Sequence, residues 1–141
     1  MKVDPIMRNP QNYRAYGILL RDGQVMIAAE WIGPVFAWKY PGGGIEAGET
    51  AEQAVRREFI EETGIAVRVV TELHDPGTKI SPWTQKPYTP IYFLVEGDGE
   101  PVVPEHEPVE ISFKNPEDFL ASDLVAGPEK LALRKALEKH T

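Results

Sequence analysis

Three glutamates, Glu58, Glu61 and Glu62, lie close together near the end of the stretch "GGGIEAGETAEQAVRREFIEETGI", which runs from Gly42 to Ile65. Positions i, i+3 and i+4 share one face of a helix, so this spacing directs three carboxylates into one small volume. Glu58 and Glu62 form a like-charged i,i+4 pair, which costs an isolated helix roughly 0.2–0.5 kcal/mol. All three sit toward the negative end of the helix dipole, where an anion is disfavoured by roughly 0.3–1 kcal/mol. An acidic run is most often a solvated face, and Arg57 could neutralise part of this one by pairing with Glu61. One arginine leaves two charges unmatched, however, and the small apolar residues Ala51, Ala54 and Val55 share the face. A hard divalent cation, Mg2+ or Mn2+, resolves the conflict, because such ions take carboxylate oxygens together with substrate phosphates.

The glycines Gly42, Gly43 and Gly44 add a second feature. A backbone without side chains suits close approach by a ligand or exposure of a carbonyl, although such a run is more often simply a turn. It is not a P-loop, since no G-x-x-x-x-G-K-[ST] pattern is present. Nor does it open directly into a helix as a dinucleotide fingerprint would, because Ile45 to Glu49 intervene.

These residues need elements to hold them. Residues 13–20 and 24–31 are rich in strand formers and flank Asp22-Gly23, a hairpin signal, so an antiparallel pair is expected there. A short strand follows at 35–40 and stops at Pro41 and the glycine run. Thr50 to Thr63 reads as a helix, with Thr50 and Gln53 as a capping box and Gly64 as the stop. Residues 66–73 and 89–96 read as strands, the second with Pro90 confined to its start or to a sheet edge. Loops are expected at 74–88 and 97–108, and a short strand at 110–113. Asn115-Pro116 opens a short helix through Leu120, and Gly127-Pro128 opens a last one over about 128–139, leaving His140 in a frayed tail. Strands on both sides of a central helix, with another helix at the end, imply an α/β class with a mixed sheet between helices.

Composition bounds the rest. At 141 residues, 42% hydrophobic and 26% charged, the chain suits one domain over its whole length, 1–141. No apolar run is long enough to cross a bilayer, and the opening "MKVDPIMRNPQNYR" lacks a leader's apolar core, so a soluble, cytoplasmic protein is expected. With no cysteine there is no disulfide and no thiolate nucleophile or ligand, which fits a reducing compartment. A net charge of −7 argues against a nucleic-acid polymer or an anionic membrane as partner. If the ligand is a phosphate, a cation must help to bring it in. A homodimer is left open.

Gly43, Glu49, Arg57, Glu58, Glu61, Glu62 and Gly64, with Phe59 and Ile65 as bulky apolar members, resemble the Nudix box, G-x5-E-x7-R-E-U-x-E-E-x-G-U, over residues 43–65. All seven fixed letters are present, a match expected by chance less than about once in 10^8 start positions at average residue frequencies. The order of strands with a final helix is similar to the Nudix fold, an α/β/α sandwich on a mixed sheet. The resemblance implies hydrolysis of a diphosphate linkage in a nucleoside diphosphate joined to another group, a small-molecule phosphoanhydride. It implies Mg2+ or Mn2+ held by Glu58 and Glu62, with Glu61 a ligand or the group that orients water, and with the Gly42 carbonyl as a further ligand. Glu61, Glu58 and Arg57 form the expected catalytic set, in which Arg57 acts with Glu49, or Glu46, by holding loop and helix together. A further glutamate from a later loop often completes such sites; of Glu105, Glu107 and Glu110, Glu107 is chosen as a metal ligand, although a solvated loop charge is the commoner fate of each. Trp83, with Lys79 and Lys86 in the loop 74–88, is expected to contact substrate by stacking and charge. Two alternatives stand beside this reading: a Nudix-like domain that binds a nucleotide without cleaving it, and a hydrolase of a non-nucleotide diphosphate.

Overall fold

A computed structural model describes residues 11–140. The reading of the amino terminus as lacking a leader's core falls chiefly on residues 1–10, outside the described residues. The elements are β1 (Tyr13–Arg21), β2 (Gln24–Ile32), β3 (Val35–Lys39), β4 (Gly42–Gly44), α1 (Ala51–Thr63), β5 (Arg68–His74), β6 (Lys79–Ile80), β7 (Pro87–Glu96), β8 (Glu110–Lys114), α2 (Pro116–Ala121) and α3 (Gly127–His140).

The mixed sheet has the order β3-β2-β1-β7-β5, with β1 and β7 parallel and the other pairings antiparallel. Asp22 and Gly23 both have positive φ, 53° and 77°, which gives the β1–β2 turn the hairpin geometry that Asp-Gly favours. The hairpin pairs only near that turn, at Leu20↔Val25 and Arg21↔Gln24. Farther back, β1 changes partner: Arg14, Ala15 and Tyr16 pair with Gly44, Gly43 and Gly42 of β4. The glycine run, expected as a turn, is therefore a short strand. Three residues without side chains can lie flat along β1 while a helix packs closely above them.

Alternation along the strands builds two cores. Tyr16 and Ile18 of β1 and Tyr92 and Leu94 of β7 face α2 and α3, joining Phe119, Ala132, Leu133 and Ala136. Ala15 and Leu19, with Phe93 and Val95, face α1 and meet Ala54, Val55 and Phe59. This is the expected α/β/α sandwich. Gly17 lies under α1, where a Cβ would stand 2.5 Å from Phe59 Cε2, so the close approach of helix to sheet depends on that glycine.

Several boundaries differ from those read in the sequence. The loop 74–88 contains β6, whose Lys79 and Ile80 pair with Tyr88 and Pro87 of an earlier-starting β7. Pro90 lies inside β7, in the gap between the ladders to β6 and β5, so its missing N–H costs no ladder bond on that side. The last helix runs from Gly127 through His140, past its expected end. Among the described residues no helix is long and apolar enough to cross a membrane.

Candidate active site

Local sequence brings the end of α1 against β4. Thr50 accepts from the Gln53 N–H, while the Gln53 side chain accepts from the Thr50 N–H. Gly64, at φ 71°, ends the helix in the left-handed region. Between these caps Ala54, Val55, Phe59, Glu62 and Thr63 point inward, so Glu62 is the charged member of a buried stripe. It is 4% exposed, and its Oε2 accepts the Gly42 N–H at 3.0 Å. Burial pushes the Glu62 carboxyl up to about 9, reinforced by a hydrogen bond and charge from Glu58, while the Gly42 N–H and Lys39 pull the other way. Glu58 reaches this position because Gly43 has no side chain: a Cβ there would lie 2.7 Å from Glu58 Oε1.

Arg57 ties the loop to the helix. Its Nε and Nη2 donate to the two oxygens of Glu49 at 2.8 and 2.9 Å, and Nη2 also donates to the Gly44 carbonyl at 3.0 Å. Nη1 donates to Glu58 Oε1 and Glu61 Oε2, both at 3.1 Å, and Glu46 lies farther off at 3.8 Å. Hydrogen bonding to Arg57 holds the Glu49 carboxyl below its ordinary value. Sequence spacing predicts three carboxylates in one volume, and Arg57 Nη1 bridges two of them, Glu58 and Glu61. Glu58 and Glu62 meet, whereas Glu61 turns to Arg57 with its side chain 48% exposed. Among the described residues no three acidic or histidine side chains form a ready cation cage.

Beside the glycine strand lies a cavity of about 260 Å3. Trp83 and Lys86 line it, together with Arg14, Tyr16, Glu30, Trp31, Lys39, Tyr88 and Glu129. Lys39 Nζ donates to Glu30 Oε1 at 2.9 Å, and the lysine's charge lowers the carboxyl pKa of both Glu62 and Glu129. Lys79 is not among the lining residues; its place in β6 puts its charge near His74. Glu107 belongs to the loop whose Val102 N–H donates to the Thr63 carbonyl at the end of α1; its own N–H donates to Pro104 O at 3.0 Å and its carboxylate is 3.6 Å from His106. Sequence reasoning passed over Arg14, Lys39 and Glu129. The first two carried one available signal, a charged residue on an otherwise apolar strand, but Glu129 resembles any acidic residue in a helix's first turn.

The sandwich, with an acidic helix end bonded to a glycine strand, is an α/β/α fold with a mixed sheet. The chain belongs to the Nudix family: the model of the NUDIX domain matches residues 11–135. It is 37% identical over 99 residues to an RNA pyrophosphohydrolase of Shewanella sp. (strain MR-7), a match covering 68% of this chain and 52% of that protein. It is 42% identical over 62 residues to an RNA pyrophosphohydrolase of Dinoroseobacter shibae, covering 43% and 39%. The chain spans about half or less of the length of these curated relatives. Among solved structures, a MutT NUDIX hydrolase from Burkholderia pseudomallei superposes with a TM-score of 0.73 at 24% identity, over 88% of this chain and 96% of that one. A NUDIX hydrolase from Nitrosomonas europaea gives 0.74 at 18% identity, over 92% and 88%. At these identities the structural likeness speaks to fold.

Proposed function

We propose that the chain is a pyrophosphohydrolase that cleaves the diphosphate linkage of a nucleoside diphosphate joined to another group, with Mg2+ or Mn2+ as cofactor. The observation that carries this reading is the Glu58–Glu62 pair, pressed against a side-chain-free strand and within electrostatic reach of Arg14 and Lys39, which line a cavity. The donor set fits a hard divalent cation. Arg57 engages one oxygen each of Glu58 and Glu61, and the Gly42 N–H engages one of Glu62; a cation would take the place of the hydrogen bond between Glu58 and Glu62 and draw oxygens from both. Glu58, Glu62 and the Gly42 carbonyl would hold it, and when bound it would supply phosphate neutralisation and a more acidic bound water. Glu61, half exposed and held by a single arginine bond, accepts the proton of the attacking water. Arg57 orients Glu58 and Glu61, while Lys39 and Arg14 draw in the anionic substrate. Phosphoryl transfer needs such positioning and charge neutralisation more than covalent help. The lack of cysteine supports a cytoplasmic setting.

A second reading is favoured by the relatives' names: the substrate is the 5′ end of an RNA. The net charge of −7 favours a small molecule instead. One panel tests both, comprising nucleoside triphosphates, dinucleoside polyphosphates, nucleotide sugars, ADP-ribose and 5′-triphosphorylated RNA, with phosphate and pyrophosphate release measured separately, with and without chelator. Chelator-sensitive cleavage of a small molecule supports the first reading, and preference for the RNA supports the second. Full activity in chelator sinks the metal assignment, and tight binding without cleavage of anything shows a binding module.

A further inference from the structure

Glu129 stands in the first turn of α3 and lines the cavity beside the glycine strand. It is 4% exposed, and its Oε2 has no hydrogen-bond partner among the described residues. The Tyr92 hydroxyl is close enough to perturb it, yet that hydroxyl also completes no hydrogen bond. The backbone here is fixed, because the Tyr40 hydroxyl donates to the Glu129 carbonyl at 2.6 Å. A helix's first turn favours an acidic residue, but an exposed glutamate would gain the same field without burial. A buried carboxyl lacking a donor is costly to keep, and the cost is recovered when an N–H or O–H donor arrives.

The rest of the cavity indicates what brings that donor. Tyr16 and Tyr88 line the interior, Tyr16 stacked on Tyr92 with Arg14 and Lys39 over its ring, and Trp31, 69% exposed, lines the cavity with Trp83. Aromatic faces take up a flat heterocycle by stacking. Lys39 supplies an ammonium donor in the same space, held by Glu30. The site therefore presents an acceptor without a donor and a donor able to meet a carbonyl, between rings. Of the common bases, guanine alone places two N–H donors side by side and a carbonyl next to them. Adenine and cytosine put a ring acceptor beside the amino group, which repels a carboxylate, and uracil has one N–H between two carbonyls.

We propose that Glu129 selects the nucleobase of the substrate, its carboxylate accepting the N1–H and exocyclic amino N–H of guanine while Lys39 donates toward O6. The assignment rests on the reading of the site as one for nucleotides, but its test does not use cleavage. Binding of GMP, IMP and AMP to the full chain is measured by calorimetry at pH 8.5 without divalent cation. IMP lacks only the exocyclic amino group, so the wild type is expected to bind GMP about tenfold or more tightly than IMP. In Glu129→Gln, whose amide offers an N–H where guanine also has one, GMP and IMP should converge to within about threefold while a thermal melt shows a folded chain. Equal GMP and IMP affinities, tighter AMP than GMP, or no saturable GMP binding in the wild type each overturns the proposal, with no variant needed. Unchanged discrimination in a folded Glu129→Gln overturns it as well, because a purely structural glutamate would alter the melt and leave the GMP-to-IMP ratio alone. Failure to cleave any member of the substrate panel would sink the hydrolase reading and leave this one standing.

Discussion

The N–H of Gly42 donates to Oε2 of Glu62 at 3.0 Å, and this bond joins the edge strand β4 to the last turn of α1 across a sequence separation of 20 residues. On its other side β4 is paired with β1, Gly42 opposite Tyr16. The acidic helix end and the cavity wall at Tyr16 are therefore parts of one framework. A change at the glycine strand should be felt at the carboxylates.

Glu62→Gln tests the charge apart from the geometry. The glutamine carbonyl can still accept the Gly42 N–H, so the fold should persist, with a melting temperature equal to or above that of the wild type once the Glu58 repulsion is relieved. Steady-state hydrolysis with Mg2+ should fall by about a hundredfold or more, since a charged group at the reacting centre is lost. Equal turnover in a folded variant would sink the mechanism.

Gly43→Ala tests position. The added methyl would meet Glu58 Oε1 at 2.7 Å, and the flexible carboxylate can yield by moving. The expected result is a melting temperature within a few degrees of the wild type and turnover reduced by roughly tenfold to a hundredfold, the scale of loss when a reacting group is displaced by about 1 Å. Gly42→Ala should behave differently, because its methyl would lie 2.2 Å from the Ala15 carbonyl oxygen, which is backbone and cannot step aside. That variant should lose about 2 kcal/mol or more of stability in urea titration.

Arg57→Lys keeps the charge and removes the fork. A lysine can replace one bond but not the simultaneous contacts to Glu49, Gly44, Glu58 and Glu61. With the arginine side chain 23% exposed, the stability loss should be modest, about 1–2 kcal/mol. Turnover should fall by about tenfold or more, with the larger change in kcat rather than KM, because the group orients carboxylates and does not bind substrate. A change confined to KM would place Arg57 on the substrate instead.

Glu129 should leave a mark on the pH dependence of stability. Burial pushes its carboxyl from the ordinary 4.5 up to about 7, so the folded state prefers the neutral acid. The associated stability is fully present below about pH 4.5 and is lost as pH rises through about 7, on the order of 3 kcal/mol at most. Other groups titrate in the same range, so the measurement is the difference in urea midpoint between wild type and Glu129→Gln from pH 4.5 to 8. That difference should shift in favour of the variant with rising pH; a flat difference would show that Glu129 is better solvated than its 4% exposure implies.

Sequence by itself determined the helix from Thr50 to Gly64, because capping box, inward stripe and glycine stop are all local and point to one conformation. It also determined the family, since the box spacing is a property of one helix and its preceding loop. The strands of both cores were legible as runs of strand formers, β1 and β2 around the Asp22-Gly23 turn. What lay beyond it was every relationship that depends on a partner distant in the chain. The glycine run reads as a turn until β1 offers it a ladder. Glu62 reads as one of three convergent carboxylates until the Gly42 N–H, 20 residues away, bonds it. Glu129 reads as a surface helix charge until the sheet closes over it and leaves it beside Lys39, Tyr16 and Trp83 in one cavity. Burial and unmet hydrogen bonding arise only when separate elements pack, so the tertiary structure alone decided which charges are enclosed.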